Sequence, residues 1–125
     1  MPPKKSPTLT EAELRLMRIL WLRGESTVSD LVTALPDGSD LAYNSVLTTV
    51  RILEKKNYVR HRKEGRAFYY TAVVAEEDAG RSEISHLLAR FFDNSRERLL
   101  LSILGEGDVT AEELARLREA IDRAE

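Results

Sequence analysis

The chain has 125 residues, a formal net charge of −2 at pH 7, 42% hydrophobic residues and no cysteine. That length supports one domain with a real core, or a small domain carrying an oligomerisation arm, and is short for an enzyme with an elaborate pocket. Without cysteine there are no disulfides, thiolate metal sites or cysteine nucleophiles, which fits a reducing compartment; no apolar run approaches the roughly 20 residues that span a bilayer, so a cytoplasmic protein without membrane insertion is expected.

Met1-Pro2-Pro3-Lys4-Lys5-Ser6-Pro7 has no apolar stretch behind it, so residues 1–8 read as a disordered basic lead-in and not a signal peptide. Thr10-Glu11-Ala12-Glu13 is a capping box, with Leu9 placed to staple onto Leu14. Leu14, Met17, Ile19, Leu20 and Trp21 supply the apolar stripe of this first helix, and Gly24 stops it. A second start signal, Ser26-Thr27-Val28-Ser29-Asp30, opens a short helix with Leu31, Val32 and Leu35 inward, closed by Pro36 and the turn Asp37-Gly38-Ser39-Asp40. Ser26-Thr27 also offers a two-residue strand ahead of that helix.

From Leu41 to Tyr70 an amphipathic helix runs into a basic hairpin. On a 3.6-residue period Val46, Val50, Leu53 and Asn57 share one face, with Asn44, Thr48, Arg51 and Lys55 opposite. The hairpin alternates Val59/His61 with Arg60/Arg62, turns at Lys63-Glu64-Gly65-Arg66 and returns through Phe68-Tyr69-Tyr70. Two helices joined by a polar turn and followed by a hairpin make a winged helix-turn-helix. Between Arg51 and Arg66 stand seven Lys/Arg against Glu54 and Glu64. Residues 1–70 hold 12 basic and 8 acidic side chains, the remainder 7 and 13, so two regions of opposite sign suggest two tasks. A charge run is often only a solvated face; here it occupies a helix face and a hairpin tip that converge, which favours nucleic acid.

Beyond Tyr70 the pattern is helical and acidic. Ile84, Leu87, Leu88, Phe91 and Phe92 form one stripe, Leu99, Leu100, Ile103 and Leu104 another, and Gly105-Glu106-Gly107 breaks the run. Thr110-Ala111-Glu112-Glu113 caps a last helix with Leu114, Leu117 and Ile121 at heptad-like spacing. Three helices are too few to enclose these side chains, so a second copy is expected to cover them, with Leu117 among the contacts. The fold class is mainly α with a small β-hairpin wing (α+β): a winged helix-turn-helix head over residues 9–74 and a helical dimerisation domain over residues 75–125.

No convergent chemistry points to an enzyme, and no cofactor or metal is expected. His61 and His86 stand alone, one in the basic hairpin and one in an apolar helix, without partners at metal-ligand spacing. Single glycines at turns form no nucleotide cradle. If the third helix enters a major groove, its first turns reach base edges, making Asn44, Ser45 and Thr48 the readers, with Tyr43 at the border. Arg51 and Lys55, and Arg62, Lys63 and Arg66 in the wing, would then hold phosphates. Two rival readings use the same fold: a protein-interaction module, and a dimeric regulator with a small molecule near Trp21, Tyr70 or Phe91.

With Leu9-Thr10-Glu11-Ala12-Glu13, Ile19-Leu20-Trp21, Thr27-Val28-Ser29-Asp30-Leu31, Ala42-Tyr43-Asn44-Ser45-Val46-Leu47-Thr48-Thr49, Leu53-Glu54-Lys55-Lys56 and Phe91-Phe92-Asp93-Asn94-Ser95 in view, the chain resembles the penicillinase-repressor (BlaI/MecI/CopY) group of winged-helix repressors over almost its whole length. The resemblance implies a homodimer on a palindromic operator in double-stranded DNA, held together by its C-terminal helices. In the antibiotic-resistance members it further implies derepression through a membrane sensor-protease pathway that leads to cleavage at an Asn-Phe bond, where this chain has Ser102-Ile103. Copper-responsive members carry a cysteine cluster, which this chain lacks.

Overall fold

In the computed structural model the described residues are 8–36, 42–105 and 107–124. The expected lead-in, apart from Thr8, and the expected turn Asp37-Gly38-Ser39-Asp40 lie outside them. Two compact units divide at His86/Leu87.

The first unit holds α1 (Glu11–Arg23), α2 (Val28–Ala34), α3 (Tyr43–Lys55), β1 (Val59–Glu64), β2 (Ala67–Ala72) and the front of α4 (Glu76–Phe91). Local chemistry fixes the helix starts. Thr10 and Thr27 each accept an amide three residues on, while Glu13 and Asp30 reach back to the cap amide. Gly24, at φ 85° and ψ −157°, ends α1 in a conformation that side chains disfavour. The core is built from Leu16, Met17 and Leu20 of α1, Val28 and Leu31 of α2, and Val46, Val50 and Leu53 of α3, closed by Tyr58, Val59 and Tyr70. Leu16, absent from the stripe expected for α1, is fully buried, while Leu14 and Ile19 are only half-buried.

Asn57 leaves the α3 face altogether. At φ 67° it takes the left-handed position after the helix, its amide donating to the Glu54 carbonyl and that of Tyr58 to the Leu53 carbonyl. This Schellman turn uses asparagine's tolerance of positive φ to send the chain from α3 into β1. The hairpin is antiparallel, pairing Val59 with Ala72 and Glu64 with Ala67, so its loop is Gly65-Arg66 alone. A two-residue loop needs positive φ, which Gly65 supplies at 63°. Ser26 forms an isolated bridge to Tyr70 through hydrogen bonds of 3.0 and 2.8 Å, so the pairing with the hairpin is there, but in place of the expected strand Ser26-Thr27 only one residue pairs, Thr27 being the cap of α2.

The front of α4 packs into this unit. Ala79 joins the core, Glu83 accepts the Leu9 amide at 2.9 Å, and the Trp21 indole donates to the Val74 carbonyl at 2.8 Å. Packing therefore carries the head beyond Val74, where composition alone changes character.

The second unit holds the end of α4, α5 (Arg96–Gly105) and α6 (Ala111–Arg123), the last opened by a Thr110/Glu113 capping box. Neither α5 nor α6 buries a single residue. No helix among the described residues is long and apolar enough to cross a membrane.

Candidate nucleic-acid interface

Burial of Val46, Val50 and Leu53 turns the opposite side of α3 outward, so Tyr43, Asn44, Ser45, Thr48, Arg51 and Lys55 are all exposed. Leu47, at the border, packs on the core. Unlike α1, α2 and α6, α3 starts at an alanine, Ala42, that offers no side-chain cap. Its first-turn amides, at the positive end of the helix dipole, are left without that partner.

Strand register sorts the wing into two sides. Val59, His61 and Lys63 face the same way as Phe68, Tyr70 and Ala72, the side on which Val59 and Tyr70 are buried. Arg60, Arg62 and Glu64 face outward with Tyr69 and Thr71. On the inner side His61 Nδ1 lies 2.7 Å from Glu54 Oε2 of α3, with its ring against Phe68 and Tyr70. A carboxylate only accepts, so Nδ1 carries the proton there. This contact ties the wing to α3, and His61 thus has a structural partner.

A cleft of about 540 Å³ opens between α2, α3 and the hairpin. Tyr43, Leu47 and Arg51 of α3 line it together with Arg66 and Phe68 of the wing and Thr27 and Ser29 of α2. Of the expected contacts, Tyr43, Arg51 and Arg66 are thus brought together, while Asn44, Ser45, Thr48 and Lys55 lie elsewhere on the exposed surface of α3. Lys63 approaches the Phe68 ring at 5.8 Å.

The seven cations of this segment are not equivalent. Lys56 is drawn inward, its Nζ 2.8 Å from Glu13 Oε1, a carboxylate that also caps α1 and is almost fully buried. Arg62, expected to hold phosphate, has three nitrogens on carboxylates instead: Nε and Nη2 on Glu25 at 2.8 Å each, and Nη1 on Glu64 at 2.7 Å. The Arg62 hydrogen bonds hold the Glu25 carboxyl below its usual range. Arg51, Lys55, Arg60, Lys63 and Arg66 make no ion pair among the described residues. Sequence reasoning missed Glu25 because its partner stands 37 positions away.

Of the expected dimer contacts, Ile84, Leu87, Phe91, Leu100, Ile103, Leu104 and Leu117 are exposed, and Phe92 and Leu99 half-buried. Leu88 differs: it is buried within the chain and so is not part of the free face. Leu101, Leu114 and Ile121 are exposed as well.

The profile of the family described as "Penicillinase repressor" matches residues 9–123. A relative described as "Transcriptional regulator BlaI" from Mycobacterium tuberculosis is 32% identical over 123 residues, covering 97% of this chain and 88% of the relative. Two solution structures, each 32% identical and covering 61% of this chain and 93% of theirs, also align. One is the DNA-binding domain of the repressor BlaI, with a TM-score of 0.53. The other is the monomeric form of Bacillus licheniformis BlaI in complex with the blaP half-operator, with a TM-score of 0.50.

Proposed function

Because the chain belongs to the penicillinase-repressor family of DNA-binding transcriptional repressors, we propose that it works as a homodimer on a palindromic operator, each winged helix-turn-helix reading one half-site. The observation that carries this reading is the meeting of the exposed α3 face with the wing around one cleft, Arg51 and Arg66 on its walls. Asn44, Ser45 and Thr48, with Tyr43 beside them, read base edges near the start of α3, where short polar side chains reach the groove floor. Arg51, Lys55, Lys63 and Arg66 neutralise phosphates and supply affinity more than choice. The exposed leucines and isoleucines of α5 and α6 meet those of a second copy, and the two half-sites lie about 10 bp apart or a multiple of that. A sensor-protease pathway that relieves repression by cutting between Ser102 and Ile103 has to unwind α5, since both residues are exposed but helical.

The test is a paired titration on an operator selected from a random duplex pool and on its scrambled version, at one fixed salt concentration. Asn44→Ala should cost about 1–3 kcal/mol on the operator and little on the scrambled duplex, as expected for one base contact. Arg51→Ala should weaken both. Equal losses for Asn44→Ala on the two duplexes would move readout to other residues.

A further inference from the structure

The outer face of the wing holds a cross-brace whose geometry is that of a latch. The bridge between Ser26 and Tyr70 sets the segment carrying Glu25 beside β2, while Arg62 sits on β1 opposite Tyr69. The Glu25–Arg62 pair therefore spans β2 and joins β1 to the segment between α1 and α2. Its guanidinium lies 4.6 Å over the Tyr69 ring, and Thr71 donates to Glu25 from below at 3.4 Å. Nε, Nη1 and Nη2 all donate to carboxylates. Two carboxylates, Glu25 and Glu64, thus engage the Arg62 guanidinium along its three nitrogens, while Arg60 on the same face makes no ion pair among the described residues.

We propose that Arg62 and Glu25 are positioning residues that fix the angle of the wing, leaving phosphate contact to Lys63 and Arg66. This rests on the DNA-binding reading above. A two-stranded hairpin is marginal alone, so its orientation depends on what ties it down. Exposed ion pairs add little to folding stability, but a forked arginine–carboxylate contact has a fixed geometry that lysine cannot copy. The latch therefore sets direction more than stability. It acts from the outer side, while His61 and Glu54 tie the inner side to α3.

The experiment measures operator affinity of the full chain against salt for wild type, Glu25→Gln, Arg62→Ala, Arg62→Lys, the Glu25→Gln/Arg62→Ala double variant, Lys63→Ala and Arg66→Ala. The slope of log affinity on log salt counts phosphate contacts, at about 0.9 per contact. Lys63→Ala and Arg66→Ala should each flatten it by about that amount. Glu25→Gln and Arg62→Ala should weaken binding by up to about fivefold, the range of exposed ion pairs, with the slope unchanged. The double variant should be no worse than the weaker single, and Arg62→Lys should behave as Arg62→Ala. A slope loss of about 0.9 in Arg62→Ala, full retention of binding by Arg62→Lys, or tighter binding by Glu25→Gln overturns the latch and returns Arg62 to a phosphate. Should Arg62→Ala fail to fold, the Glu25→Gln and Arg62→Lys arms decide alone. Failure of the wild type to bind any duplex overturns the DNA reading itself, and the latch with it.

Discussion

Leu53 of α3 and Leu101 of α5 are the same side chain on two helices, yet the first is 0% exposed and the second 59%. In the head, α1, α2 and α3 turn their apolar stripes toward one another and the core closes within a single chain. In the second unit α5 and α6 carry leucines and isoleucines too, and neither buries a residue. An amphipathic pattern therefore announces that a surface will be covered without saying by what. Helices of this length are marginal in water unless packed. Stability of the head is thus a property of one chain, while that of the tail depends on protein concentration when a second copy supplies the cover.

The largest effect separates the two regions directly. Leu53→Ala removes a fully buried side chain and should destabilise the head by about 2–5 kcal/mol, by the same amount at every protein concentration. Leu101→Ala should leave a dilute sample unchanged and lower only the melting temperature of concentrated samples. Thermal melts over a hundredfold range of concentration check both. If Leu101→Ala destabilises equally throughout that range, the tail has its own intramolecular cover and the contrast fails.

Truncation sharpens where one region ends. A chain stopping at His86 should fold and melt as a monomer, because it keeps Ala79 in the core and Glu83 on the Leu9 amide. Stopping at Thr71 strips the Val74 carbonyl from Trp21, the Val73 amide from the Tyr58 carbonyl and Glu83 from the Leu9 amide. At about 1 kcal/mol for each such hydrogen bond, with Ala79 lost as well, the shorter chain should be less stable by a few kcal/mol in denaturant titrations. Equal midpoints would confine the head to residues before α4.

Gly24 offers a smaller test of the head alone. Its φ of 85° and ψ of −157° lie in a region nearly reserved for glycine, although an added Cβ would meet no atom. Gly24→Ala should therefore cost about 1–3 kcal/mol through backbone strain alone, at any concentration.

What was legible in the sequence divides along the same physical line. Capping boxes at Thr10 and Thr110, the stop at Gly24 and the two-sided α3 are all decided within a turn or two of helix, by rules that a sequence displays openly. The pairing of Ser26 with Tyr70 was visible only as a suggestion, because two residues carry little pattern. Glu25 on Arg62, Glu13 on Lys56 and Trp21 on Val74 join residues that chain folding alone brings together. The basic run showed this cost most clearly: seven cations were countable, but which ones a carboxylate had already claimed was not. Asn57 was misplaced for a different reason, since its helical spacing held while the helix itself had ended.

The finest test uses one motif that occurs in both regions. Thr10 and Thr110 cap α1 and α6 in the same way, each accepting the amide of a glutamate three residues on, at 3.1 and 3.0 Å. The intrinsic loss on replacing either by alanine is about 1 kcal/mol of helix stability. In α1 that loss falls on a helix locked into the core, where Glu13 also holds Lys56 at 2.8 Å, so Thr10→Ala should lower the head's melting temperature regardless of concentration. In α6 no residue is buried, so the cap carries more of the helix's hold, and Thr110→Ala should reduce helical circular dichroism in dilute solution without moving the head's transition. Its effect on the midpoint should appear only as concentration rises and α6 is covered by a partner. A dilute Thr110→Ala sample whose head melts earlier than wild type would mean that α6 supports the head from within one chain, and the division between the two regions would have to be redrawn.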